Sequence, residues 1–162
     1  MLFNAIDTIV KYTGELPENS HHQFCRNVYS QNGEDGLLDQ LLNELGIQTS
    51  TFYEFGASDG INSSNTRNLI EQRGFTGLYI EGNPHVFPAL VKNTSHFTGV
   101  KCRQGFVRHT DDYKDLWLNT YIDDAGLPHD LDVLSIDIDS YDYQVWEKFS
   151  YSPKIVIIET NP

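Results

Sequence analysis

The stretch TFYEFGASDGINSSN, residues 51–65, constrains the fold more than any other part of the chain. Its first residues suit a buried strand, because Phe52, Tyr53 and Phe55 are aromatic and pack well on a pleated surface. The run then breaks into Gly56, Ala57, Ser58, Asp59 and Gly60, and helical character resumes near Asn65. A strand, a glycine-rich turn and a helix build the crevice at which open α/β sheets take their ligands. Glycine lets the backbone come close to such a ligand. Glu54 and Asp59 place negative charge there, which limits what fits.

The remainder alternates in the same way. Strands are expected over 51–56, 77–81, 97–104, 132–138 and 154–159. Helices are expected over 30–45, 65–73, from Asn83-Pro84 onward, 111–125 and 142–149. The first carries an apolar face of Leu37, Leu38, Leu41, Leu42 and Leu45, with Asn32 as its cap and Gly46 as its stop. Leu116, Trp117 and Tyr121 are the expected core of the fourth. Alternating strands and helices imply an open, Rossmann-like α/β domain, its parallel sheet in the order 3-2-1-4-5 with flanking helices. Residues 1–27 read as an N-terminal helix and connection, and 28–162 as the single domain. The apolar fifth strand lies at the end of the given sequence, so either this is a shortened piece of a larger domain or a homo-oligomer or a partner covers that edge.

Bulk charge excludes some functions. A net charge of −12 argues against nucleic acid as a main partner, since phosphate contacts dominate that affinity. No apolar run reaches the roughly 18 residues of a membrane span. The N-terminus lacks the basic region of a signal peptide, so a cytoplasmic protein is expected. Cys25 and Cys102 read as two reduced thiols, and His21-His22 as part of a surface loop.

Acidic residues mark the strand ends: Glu54 in the first, Glu81 at the end of the second, Asp137 and Asp139 at the end of the fourth. Glu81 is well placed to accept hydrogen bonds from both ribose hydroxyls of a nucleoside. A dinucleotide needs GxGxxG facing its pyrophosphate. The turn here is GASDG, and a carboxylate from Asp59 would repel phosphate. S-adenosyl-L-methionine has no phosphate and carries a sulfonium and an ammonium group, so an acidic turn suits it. A dinucleotide enzyme and an empty, purely structural turn are the alternatives. Asp137, Asp139, Asp142, Glu159 and Asn161 also offer oxygens for a divalent metal, a lesser alternative with Asp137, Asp139 and Glu159 as its nucleus.

The segments YSQNGEDGLLDQLL (29–42), FYEFGASDGINSSNT (52–66), GLYIEGNP (77–84), GLPHDLDVLSIDIDSYDYQVW (126–146) and KIVIIETNP (154–162) resemble the FkbM-type class I methyltransferases, in the family's order. The resemblance implies a cofactor pocket shaped by Glu54, Gly56 and Gly60, with Glu81 on the ribose and Asp137 near the methionine part. With the neighbouring turns, the cofactor-binding set is Gln31, Glu54, Gly56, Ala57, Ser58, Asp59, Gly60, Asn65, Glu81, Gly82, Gln104, Gly105, Phe106 and Asp137. Where many relatives read D-G-N-D-Y, this chain has Asp139-Ser140-Tyr141-Asp142-Tyr143. Relatives usually continue into two more strands, the sixth and seventh, beyond the fifth.

The expected reaction is O-methylation of a sugar, glycan or other small hydroxylated molecule. Asp137 and Asp139 are the candidate catalytic bases, with His109 a weaker one. The alternative is a non-catalytic or partner-dependent binding and assembly module on the same fold.

Overall fold

Alternation along β1 (Thr51–Phe55) divides the core in two. All five of its residues are buried. Phe52 enters one apolar cluster, while Tyr53 and Phe55 enter another. β1 is the middle strand. It pairs in parallel with β2 (Thr76–Glu81) on one side and β4 (Val133–Ile136) on the other, with Phe55 opposite Ile80 and Ile136. β3 (Val100–Gln104) extends the sheet beyond β2, and β5 (Ile155–Ile158) beyond β4, both in parallel. The order β3-β2-β1-β4-β5 is the one the sequence implies. This computed structural model describes residues 20–159. The helix expected within 1–27 and the metal-donor candidate Asn161 lie outside the described residues.

Helices supply each cluster separately. Leu38 and Leu42 of α1 (Glu34–Glu44), Leu69 and Ile70 of α2 (Arg67–Arg73) and Leu90 of α3 (Phe87–Thr94) pack with Phe52. Leu118 and Ile122 of α4 (Leu118–Ala125) and Val145 of α5 (Asp142–Glu147) pack with Tyr53 and Phe55. Such two-sided cover is what a buried parallel sheet requires. Among the described residues, no helix is long and apolar enough to cross a membrane. Cys25 and Cys102 are both free.

Three helix starts differ from the sequence expectation by three residues or more. α1 begins at Glu34, not near Ser30. One carboxylate oxygen of Asp35 accepts the N–H groups of Val28, Tyr29 and Ser30, at 2.8, 2.7 and 2.8 Å, which folds residues 28–33 into a loop. Gly33, left-handed at φ 96°, then starts the helix in place of Asn32. The helix expected over 111–125 is split into a 3₁₀ turn, Asp111–Leu116, and α4, because Trp117 is extended (φ −71°, ψ 153°). Leu118, Ile122 and Ala125 therefore form the buried face, instead of Leu116 and Trp117. α3 opens on Phe87-Pro88, and Pro84 sits in the turn before it.

A buried arginine shapes the loop after β1. Arg67, only 5% exposed, donates to the carbonyls of Gly60 and Asn93 at 3.3 and 3.1 Å. It pairs with Glu71 at 2.7 Å and lies over the Phe97 ring. Those contacts tie the glycine turn to α3 and set the position of the strand tips.

Candidate ligand crevice

The chain leaves β1 at Gly56 and β4 at Asp137, the point where strand order reverses. Ligands of open α/β sheets bind at such switch points. A Cβ on Gly56 would stand 1.6 Å from the Asp137 carbonyl oxygen, and its φ is +72°, so only glycine fits. A cavity of about 610 Å³ opens beside this contact. Its size falls within the roughly 300–1,000 Å³ of small-molecule sites. Glu81 and Gly82 line it from the β2 tip, Phe106 and Arg108 from the loop after β3, and Asp139 and Tyr141 from the loop after β4.

Glu81 is held in place. Its two carboxylate oxygens accept the N–H groups of Ser58 at 2.7 Å and Asn83 at 2.6 Å. It thereby joins the glycine turn to the turn before α3, and each oxygen keeps a free lone pair. Phe106 lies over Gly82, where a Cβ would stand 2.5 Å from the ring. More than half of that ring's residue surface stays exposed.

Opposite Glu81 stands a second group of acids. Asp137, Asp139 and Glu159 bring carboxylate oxygens within 4.8 Å of one another. Asp137 is pushed up to about 6, first by burial, then by Glu159, Asp139 and Asp142 around it. Asp139 is left-handed at φ 57°, a conformation aspartate tolerates better than most residues. Ser140, where the FkbM-type pattern carries glycine, is not left-handed. Asp142 is buried and accepts the N–H groups of Ile138 and Ser140 at 2.7 and 3.1 Å, which shapes this loop. Asp137, Asp139 and Glu159 can each offer one oxygen to a hard divalent ion, whose other places further oxygens or waters would fill. Asp142, expected beside them, is committed to the backbone.

A smaller cavity, about 320 Å³, adjoins the first near β5. Gln31, Ser63, Asp137 and Glu159 line both.

Gln31, Gly56, Ser58, Glu81, Gly82, Gly105, Phe106, Asp137 and Asp139 meet around the larger cavity. Asn65 lines the smaller one instead. Five expected residues line neither. Glu54 shares the Phe52 face of β1 and holds the start of α2. It accepts the Ser64 hydroxyl at 3.0 Å, the N–H groups of Asn65 and Thr66 at 3.1 Å, and the Thr66 hydroxyl. Burial pushes it up to about 7, while the hydrogen bonds from Thr66, Asn65 and Ser64 pull it down. Asp59 closes its own turn by accepting the N–H groups of Ile61 and Asn62 at 2.9 and 2.8 Å. Ala57 packs in the apolar core. Gly60 faces Leu90, whose Cδ1 would be 2.6 Å from a Cβ there. Gln104, paired with Glu81 in the β2–β3 ladder, is exposed at the sheet edge.

His109 packs its ring 4.6 Å from that of Tyr141 and does not line the cavity. Sequence reasoning missed Arg108, Tyr141 and Ser63. All three lie in loops just past strand ends or the glycine turn, and that position was their only signal.

The sheet order and the crevice at its switch point define a Rossmann-like α/β protein. No family model and no curated protein matches the chain. Among solved structures, the precorrin-6y C5,15-methyltransferase of Geobacter metallireducens GS-15 superposes with a TM-score of 0.45 at 17% identity, over 68% of this chain and 53% of that one. A Methanococcus maripaludis protein assigned as an S-adenosyl-L-methionine-dependent methyltransferase superposes with a TM-score of 0.41 at 15% identity, over 67% of this chain and 45% of that one. The matches thus span about half the length of those two structures.

Proposed function

We propose that the protein is an S-adenosyl-L-methionine-dependent methyltransferase of the FkbM type, acting on a hydroxyl of a sugar or other small molecule. One observation carries this reading: a cavity at the switch point with Glu81 on one wall and Asp137, Asp139 and Glu159 on the other. Among the described residues, Arg108 is the lone lysine, arginine or histidine in that lining. This balance disfavours a pyrophosphate and favours a ligand carrying sulfonium and ammonium charge. The bare backbone at Gly56 and the cavity's size fit such a ligand. The sequence blocks at 29–42, 52–66, 77–84 and 126–146 support the family.

When bound, the cofactor supplies a methyl group whose carbon–sulfur bond breaks as the bond to the acceptor oxygen forms. The chain does the rest. Glu81, fixed by Ser58 and Asn83, accepts hydrogen bonds from ribose hydroxyls. The exposed face of Phe106 offers a stacking surface for the base. Asp137, lifted to about 6, takes the proton that the acceptor hydroxyl gives up.

Calorimetric titration tests this reading. S-adenosyl-L-methionine and S-adenosylhomocysteine should bind and NAD should not. Binding of NAD, or of none of the three, overturns it. Glu81→Gln should weaken the two adenosyl ligands by about 1–3 kcal/mol, and an unchanged affinity removes Glu81 from the site.

A further inference from the structure

Because four side chains line both cavities, a molecule in one meets a molecule in the other across Gln31, Ser63, Asp137 and Glu159. We propose that the smaller cavity seats the methyl acceptor and selects one that donates hydrogen bonds and carries no anionic group there. The inference rests on the methyl-transfer reading of the larger cavity. It puts Asp137 on the wall between donor and acceptor, where a proton acceptor is needed.

The lining explains the selectivity. The smaller cavity presents the carboxylates of Glu34, Asp137 and Glu159, and no lysine, arginine or histidine among the described residues lines it. A phosphate, sulfate or carboxylate entering would face those acids in a partly dry space. Asn65 adds an independent demand. It is 8% exposed, and its amide nitrogen donates to Ser135 Oγ at 3.0 Å. Its own N–H is held by Glu54 at 3.1 Å, so the residue is fixed from two sides. The carbonyl oxygen of its side chain has no hydrogen-bond partner among the described residues. An accessible acceptor on a residue that lines the cavity can take a donor from the ligand. Hydroxyl and amine groups both supply one. Ile157 and Ile158, at the end of β5, complete the lining.

NMR on the full chain, with and without S-adenosylhomocysteine, tests the proposal through the side-chain amide signal of Asn65. The probes are methyl α-glucoside, ethanolamine, glucose 6-phosphate and glucuronate. The glucoside or ethanolamine should move that signal, and the two anions should bind there at least about tenfold more weakly. A response to the glucoside alone assigns a hydroxyl acceptor, and to ethanolamine alone an amine. Glu34→Gln should narrow the discrimination against the anions and leave S-adenosylhomocysteine affinity unchanged. Anions that bind as tightly as the neutral probe overturn the proposal. So does an Asn65 signal that neither donor-bearing probe moves while S-adenosylhomocysteine still binds. Loss of S-adenosylhomocysteine binding with the probe response retained sinks the methyl-transfer reading instead.

Discussion

Glu54 and Asp137 lie at the ends of neighbouring parallel strands, and burial pushes both above the ordinary carboxylate range. Their surroundings differ. Glu54 is 3% exposed, and hydroxyl and amide donors from Ser64, Asn65 and Thr66 surround it. Asp137 is half-buried, has Glu159 and Asp139 as neighbours, and opens onto both cavities. A raised pKa therefore does not separate the two. The separating feature is what each carboxylate faces: donors of its own chain in one case, ligand space and like charges in the other. The first arrangement builds a loop, and the second stores a site for a proton.

The sharpest way to break this contrast is to remove Glu54. Glu54→Ala leaves the Ser64, Asn65 and Thr66 donors in a dry interior with nothing to bond, and each orphaned group costs about 1–3 kcal/mol. Stability should fall by roughly 4 kcal/mol in urea unfolding, with the start of α2 loosened. A loss under about 1 kcal/mol would mean that the donors find other partners.

Asp137→Asn should do the opposite. On the proposed methyl-transfer reading, the rate should drop about a hundredfold through loss of the proton acceptor. Stability should hold or rise slightly, because one like charge leaves the Asp137, Asp139 and Glu159 group. Single-turnover rates beside urea unfolding read both effects. A variant that unfolds more easily and still turns over at the parent rate would erase the distinction.

Stability against pH carries a smaller signature. Both groups titrate higher in the fold than in the unfolded chain, so the unfolded state releases its protons first. Stability from each is then fully present below its unfolded pKa and is lost as pH rises through the folded one. For Glu54 the window runs from 4.5 to about 7. For Asp137 it runs from 3.8 to about 6. Above about pH 6 the remaining decline belongs to Glu54, so Glu54→Gln should flatten it and Asp137→Asn should not. The Glu54 share is about 3 kcal/mol over its window. Urea midpoints between pH 4 and 8 measure it, and a rise in stability across that range would reverse the sign.

The sheet was legible because its signals are local. Phe52, Tyr53 and Phe55 alternate, glycines punctuate, and each helix repeats its apolar residues over one face. The strand-tip acids Glu81 and Asp137 were legible for the same reason, since a parallel sheet brings strand ends together whatever lies between them. What escaped was the direction of side chains within the glycine turn. Glu54 precedes Gly56 by two residues and so stays on the Phe52 face, yet its partners Ser64, Asn65 and Thr66 arrive only through the folded loop. The start of α1 escaped likewise. Asp35 reaches back to Val28, Tyr29 and Ser30, and this reversal leaves no periodic trace.

Asp59 extends the comparison to a third acid and gives the smallest expected effect. From the sequence it stands where a phosphate would sit, and it was expected to choose the ligand by repulsion. In the folded turn its carboxylate accepts the N–H groups of Ile61 and Asn62 and the Asn62 side-chain amide, at 2.9, 2.8 and 2.6 Å. Those bonds resemble the Glu54 arrangement, not the Asp137 one. Asp59→Asn keeps an oxygen for the two backbone donors and removes the charge. It should cost about 0.5–1 kcal/mol of stability, through the lost bond to the Asn62 side chain. S-adenosylhomocysteine affinity should change by less than about twofold, because a charge spent inside its own turn contributes little to a cavity it does not line. A tenfold loss in calorimetry would mean that the turn opens on binding and hands Asp59 to the ligand. Asp59 would then belong with Asp137, and the line between structural and site carboxylates would have to be drawn through the bound state.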